Sequence, residues 1–413
     1  MKALRSRIVL PLGAPPIEDG MVYLRNGRIA AVGRARELST YPCDDLGDCI
    51  LMPGLINAHC HLDFTIMRGV ILQQESFSNW VRRINDLKRT LTDNEYLKSI
   101  SNGFAELRRW GTTSVFNIES FPELMVHMPP PPIRAWWFYE LIDVRNRIHT
   151  EDVVAGALTF FEKHPNWMGG FGLSPHAPYT TSAALYGLAK FCCEKYAMPW
   201  TTHLAETEEE YNMFASASGP LHDFLKDLGR EMHDVGGVTP VARLFEARLV
   251  PKGGILVHMN CLSEADYKLL RGYARDITVV HCPKCHDYFG RPPFNLDRLR
   301  SIGISVCLGT DSLASNTSLN LFEEMRHLRT NFPHISSEEL IDMVTRRPAR
   351  AIGMSGELGE IVAGAYADLI AIPFSGAPGD AVDAVVENYS PVSWMMVGGA
   401  LSENKVTEIK VQT

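Results

Sequence analysis

Eight short apolar runs recur through the middle of the chain, and most are separated by segments of helical period. They lie at 53–58 (PGLINA), 112–118 (TTSVFNI), 133–142 (IRAWWFYELI), 170–175 (GFGLSP), 199–204 (PWTTHL), 254–259 (GILVHM), 277–282 (ITVVHC) and 304–310 (ISVCLGT). NEYLKSISNGFAELRRW and SAALYGLAKFCCEKYA are examples of the helical segments between them. Strands that stay apolar on both faces belong in a parallel sheet covered by helices. Eight such units over roughly 300 residues predict an α/β chain folded as a (β/α)8 TIM barrel, which typically needs about 250 residues. A doubly wound open sheet is the rival, but no G-x-G-x-x-G follows the first strand to support it. Pro129–Pro132 interrupts any helix before the third strand and reads as a rigid surface connection.

Both chain ends have a different texture. RIVL, MVYLRNGRIAAVG and CILM near the start, and GEIVAG, ADLIAIP, WMMVGGAL and KVTEIKV near the end, read as short strands broken by Gly and Pro. The RNG tripeptide supplies a hairpin turn. Neither end is long enough for a core of its own, so the two are expected to pair. This divides the chain into an accessory β domain, residues 1–52 with 360–413, and a catalytic barrel, residues 53–359.

Lys+Arg total 40 against 48 Asp+Glu, a net charge of −8, and no dense basic block would track a phosphate backbone. Nucleic acid is therefore not an expected partner. No run of about 18 apolar residues is present to span a membrane. The N-terminal segment has no signal-peptide pattern, and the nine cysteines fall mostly within apolar runs. Together these predict a soluble, cytoplasmic chain with free thiols.

In a barrel of this class the chemistry sits at the C-terminal strand ends. Six of the fourteen histidines fall there: His59, His61, His176, His203, His258 and His281. Alternate strand positions face the same side, so His59 and His61 can address one ion while Cys60 turns the other way. His203 ends the fifth run, His258 the sixth and His281 the seventh, and Asp311 follows the eighth. Imidazoles with one carboxylate suit zinc, or alternatively ferrous iron, better than calcium or magnesium. A lone H-x-H or H-x-x-E is usually a packed pair. The joint placement of His59, His61, His203, His258 and Asp311 at separate strand ends is what points to a metal centre.

PGLINAHCHLD, THLAETEEE, LVHMNCL and CLGTDSLASN resemble the metal-dependent amidohydrolase superfamily. The likeness is strongest to its cytosine deaminase, s-triazine hydrolase and adenosine-type (S-adenosylhomocysteine-like) deaminase subgroup. It extends over nearly the whole chain, including GEIVAGAYADLIAI, and implies a β-sandwich form for the accessory domain. It further implies that His59, His61, His203 and Asp311 are metal ligands, that Glu206 shuttles protons, that His258 orients the attacking water or polarises the substrate, and that Asp311 shares in holding the water. Binuclear relatives carry a carboxylated lysine on the fourth strand. GFGLSPHAPYT has none, so one divalent metal is expected.

SPHAPYT resembles a substrate-contacting segment of the nucleoside deaminase-like members, which makes His176 a candidate contact or a residue holding the rim. Arg145, with Arg147 beside it, is a candidate contact or a solvated loop charge. Trp80 is either a pocket wall or core packing. His281 lies beside the site, and CHDYFGRPPF, with His286 and Tyr288, departs from the family pattern. The resemblance implies hydrolytic deamination of an aminated nitrogen heterocycle, a purine-type base or nucleoside, and a homodimer as the family expectation. The alternatives are s-triazine chloride or amine hydrolysis, cyclic amide hydrolysis, or an inactive scaffold.

Overall fold

The computed structural model describes residues 2–38, 43–143, 150–163 and 167–402. The chain opens with strands β1 (Lys2–Val9), β2 (Ile17–Arg25), β3 (Arg28–Arg34), β4 (Cys43–Asp45) and β5 (Cys49–Pro53). It continues through β6 (Leu55–His61), β7 (Thr112–Glu119), β8 (Arg134–Leu141) and β9 (Gly169–Pro175). Next come β10 (Thr201–Leu204), β11 (Gly254–His258), β12 (Ile277–His281), β13 (Ser305–Leu308) and the two-residue β14 (Asp311–Ser312). The last three are β15 (Leu369–Pro373), β16 (Trp394–Val397) and β17 (Ala400–Leu401).

The two chain ends form one eight-stranded sheet in the order β17-β16-β15-β5-β1-β2-β3, with β4 also paired to β1. Asn26 and Gly27 turn the β2–β3 hairpin with φ of 52° and 75°, the left-handed geometry that the RNG sequence predicts. Side chains alternate across this sheet. Leu51 and Leu369 join Leu4, Val22 and Met396 in one cluster, while Ile50, Met52, Ile370 and Ile372 face the main core. Each terminal segment therefore supplies strands that the other needs for burial.

The middle strands pair in parallel throughout. One sheet has the order β14-β6-β7-β8-β9 and the other β10-β11-β12-β13. A parallel bridge from Leu173 to Trp200 links their edges at β9 and β10. Helices alternate with these strands, as at Asp93–Arg109 and Ala183–Tyr196, where the helical period places them. Thr92 and Glu95 close a capping box at the first of these. No helix among the described residues is long and apolar enough to cross a membrane.

Two sequence expectations need correction. GEIVAG is not a strand: Gly359 and Gly364 take φ of 78° and 95°, and the segment turns, with the Ile361 N–H donating to the Pro11 carbonyl. The eighth run does not extend unbroken to Asp311. It ends at Leu308 and resumes as β14 beside β6. At the break the backbone passes close to β6: a Cβ on Gly309 would lie 2.8 Å from both the Cβ and the carbonyl oxygen of His59. Gly309 N–H donates to the His281 carbonyl and Thr310 N–H to that of His59, so this crossing ties β12 to β6. KVTEIKV lies outside the described residues.

Candidate active site

The strand registers bring the chosen side chains to one end of the parallel strands. Leu204 pairs with His258, and β14 sets Asp311 beside Cys60 and Ser312 beside His61. On β6 the alternation is as expected: Cys60 packs into the main core, while His59 and His61 stand with ring centroids 5.0 Å apart. His203 lies 5.0 Å from His59 and 5.5 Å from His61, and His258 lies 5.8 Å from His59. The His59 Nε2 is 3.6 Å from Asp311 Oδ1.

This arrangement fits a metal ion. His59 Nε2 and His61 Nδ1 are buried with no hydrogen-bond partner, a costly state unless a ligand arrives. Donor atoms of His59, His61 and Asp311 lie within 4.8 Å of one another, as do those of His59, His203 and His258. The His203 Nδ1 is 2.8 Å from the His176 carbonyl, which fixes the tautomer and leaves Nε2 as the donor nitrogen. Burial holds His59 below its ordinary value and His61 and His258 well below it, so their lone pairs are available. Nitrogen donors with one carboxylate are a zinc-type set, and β9 offers no lysine to bridge a second ion.

Glu206 follows β10 and is 8% exposed at its side chain. Its Oε1 lies 3.7 Å from His258 Nε2. Burial raises its pKa, against the pull of Arg291, whose Nη2 is 2.8 Å away. The backbone here is held in an uncommon conformation. Ala205, His258, Met259 and Asp311 take φ of 51°, 76°, 53° and 57°. Such non-glycine residues cost about 1–3 kcal/mol each and concentrate at functional sites.

His61, His203, Glu206, His258 and Asp311 line a cavity of about 860 Å³. Its wall includes Trp80, which the sequence singled out, and also Phe77, Tyr179 and Phe289. Trp80 meets Phe289 edge-on at 5.1 Å and stacks on Phe77 at 5.9 Å. His176 lines the cavity too. Its Nδ1 is 2.6 Å from Thr180 Oγ1, its Nε2 is 4.0 Å from Glu140 Oε1, and burial pushes its pKa down to about 4. His281 stands apart, stacked on Phe294 at 3.8 Å and edge-on to His286, away from the cavity lining. Arg145 and Arg147 lie outside the described residues.

Sequence reading did not find Arg291, Glu140 or Glu210. Glu140 has a usable signal, a carboxylate near the end of a run that is apolar apart from it and Arg134. Glu210 has a weaker one, lying four residues beyond Glu206 on the helix Glu208–Ser216, where its Oε2 accepts the Glu206 N–H at 2.7 Å. Arg291 has none, because it reaches Glu206 across 85 residues.

The Pyrococcus furiosus 5-methylthioadenosine/S-adenosylhomocysteine deaminase is 30% identical over 369 residues, covering 85% of this chain and 81% of that protein. The Deinococcus radiodurans aminodeoxyfutalosine deaminase is 27% identical, covering 81% of each. Among solved structures, Helicobacter pylori aminofutalosine deaminase with methylthio-coformycin superposes with a TM-score of 0.86 at 20% identity, covering 97% of this chain and 100% of that one. A Xanthomonas campestris adenosine deaminase with bound zinc superposes at 0.80 with 24% identity, covering 97% and 92%. The model of the amidohydrolase family matches residues 50–388, a span that includes every strand-end histidine and Asp311 described above, and the chain belongs to that family.

Proposed function

We propose that this chain is a zinc-dependent hydrolytic deaminase of adenosine-type nucleosides. Water replaces the exocyclic amino group on the purine ring, leaving a ring carbonyl and ammonia. The observation that carries this reading is the convergence on one cavity of His61, His203 and Asp311, with His59 Nε2 3.6 Å from Asp311 Oδ1 and a buried Glu206 beside His258. A bound zinc ion supplies the Lewis acidity that makes water nucleophilic near neutral pH.

The remaining work falls to the protein's own side chains. Glu206 takes the proton from the attacking water and passes it to the ring nitrogen and the departing amine, and its raised pKa suits both directions. His258 and Asp311 orient the water, with His258 Nε2 3.9 Å from Asp311 Oδ2. His176 is neutral at pH 7 and offers Nε2 to the purine edge. Trp80, Phe77, Tyr179 and Phe289 give the base an aromatic wall and exclude water. Arg145 is kept as the candidate for contact with substrate hydroxyls or a carboxylate.

The same reading takes the two parallel sheets as one closed (β/α)8 barrel over residues 53–359. The Leu173–Trp200 bridge and the β14–β6 pair, at opposite edges, support closure. Residues 1–52 and 360–413 are its β-sandwich accessory domain. A cytoplasmic homodimer acting on a small molecule, with no nucleic acid or membrane partner, completes the assignment.

Ammonia release across adenosine, S-adenosylhomocysteine, 5′-methylthioadenosine, free aminopurines and aminopyrimidines tests it. Turnover is expected on the nucleosides. Silence on that panel, with chloride or amine released from s-triazines, would reassign the leaving group.

A further inference from the structure

Glu206 is held at several points, and one of the groups holding it has no assigned task. Arg291 follows the helix Pro283–Tyr288 and donates from Nη2 to Glu206 Oε1 at 2.8 Å, with both side chains under a tenth exposed. The pair is one-pointed: no bond from Arg291 to the second carboxylate oxygen accompanies it, and Arg291 Nη1 is buried with no partner. The guanidinium lies over the Phe289 ring at 4.4 Å, and Phe289 is part of the cavity wall.

The segment carrying Arg291 is itself fixed. His286 Nε2 is 2.8 Å from the Pro292 carbonyl and its Nδ1 is 3.2 Å from Asn260 Oδ1. Asn260 Nδ2 in turn donates to the Glu206 carbonyl at 3.0 Å. His286, Asn260 and Arg291 thus form a brace that grips Glu206 at both its backbone and its carboxylate. A charge-assisted bond from a guanidinium to one carboxylate oxygen anchors that oxygen and leaves the other without a bond to the guanidinium.

We propose that Arg291 is a positioning residue for proton transfer: it pins the Glu206 carboxylate through Oε1, the oxygen that also lies 3.7 Å from His258 Nε2, and so holds the carboxylate beside the cluster of histidines. This rests on the reading of Glu206 as the proton carrier. Charge alone does not supply such a function, because a lysine matches the charge without the planar, stacked fork.

The test uses the zinc-loaded full-length chain and ammonia release from the best nucleoside of the panel. Arg291→Lys, Arg291→Ala and Glu206→Gln are compared for kcat, KM, bound zinc and Tm. Misplacing a catalytic group by about 1 Å can cost roughly a hundredfold. Arg291→Ala is expected to lose kcat on that scale, with KM and zinc content little changed. Added guanidinium is expected to restore part of the Arg291→Ala kcat, and Arg291→Lys, which keeps the fold, is expected to stay well below the parent. Parental kcat in Arg291→Lys overturns the proposal, as does an Arg291→Ala loss that follows lost zinc or lost fold and is not rescued by guanidinium. If Glu206→Gln is fully active, the proton-carrier reading fails first. If Glu206→Gln is inactive while both Arg291 variants turn over normally, only the brace is wrong.

Discussion

Arg134 and Asp368 meet where β8 approaches the segment before β15, and Arg291 and Glu206 meet at the opposite, cavity-lining end of the parallel strands. The first pair is two-pointed, with Nε to Oδ2 at 2.6 Å and Nη2 to Oδ1 at 3.3 Å. Asp368 Oδ1 also accepts the Gly398 N–H at 2.6 Å, and Tyr366 lies under the guanidinium at 3.8 Å. Around the second pair, polar atoms are left over: Arg291 Nη1, His59 Nε2 and His61 Nδ1 are all buried without a hydrogen-bond partner. A fully matched buried pair has spent its bonding capacity on the fold. A cluster with unmatched donors and acceptors is destabilising until a ligand completes it.

Metal loading tests that contrast most directly. Zinc at roughly 1,000 times its Kd is expected to stabilise the chain by about 4 kcal/mol, and stripping it with a chelator should abolish ammonia release. Thermal unfolding with and without zinc measures the first, and an ammonia assay the second. If zinc leaves Tm unchanged, the unmatched imidazoles are not a metal site. Glu206→Gln comes next. It should keep zinc and the fold while losing kcat by roughly 10²–10⁴-fold, the usual worth of a general acid–base group. Normal turnover in that variant would show the carboxylate to be packing only.

Asp368→Ala is the counterpart in the matched region. Removing one partner of a buried pair costs about 3–5 kcal/mol because the other charge is stranded. Denaturant unfolding should show that loss, while kcat of the folded fraction stays at the parental value. A stable Asp368→Ala protein would mean that Arg134 finds water once its partner is gone.

The same division explains what was legible in the sequence. His59, His61, His203, His258 and Asp311 were readable because strand alternation and the strand-end rule convert sequence positions directly into places in space. The terminal sheet was readable in outline from its short strands, and the family likeness held over residues 50–388. GEIVAG was misread because two left-handed glycines outweigh its apolar middle. The stop at Leu308 was missed because the crossing beyond it bonds to His281 and His59, which are remote in sequence. Arg291 was missed for the same reason, since the loop geometry that carries it to Glu206 has no local pattern. His281 shared the strand-end position of His203 and His258, yet its ring stacks on Phe294.

Two smaller effects examine the border between the regions. Gly309→Ala should cost about 1–3 kcal/mol as the added methyl presses on His59. Because the same crossing leads into Asp311, zinc affinity measured by competition with a chelator should fall as well; a tolerated alanine would show that the approach of Gly309 to His59 can relax without moving Asp311. Glu210→Gln acts more gently and is read through pH. Burial, aided by the charge of Glu206, pushes the Glu210 carboxyl up to about 8, although its Oε2 accepts the Glu206 N–H. A carboxyl with a raised folded value favours the folded state in its protonated form. Its stabilising contribution is therefore complete below about pH 4.5 and is lost as pH rises through about 8. Glutamine keeps an acceptor for the N–H and never ionises, so the variant's Tm should gain on the parent's steadily between pH 5 and pH 8.5. A Tm difference that stays flat across that range would mean that Glu210 ionises as easily folded as unfolded, and that water reaches it behind the site.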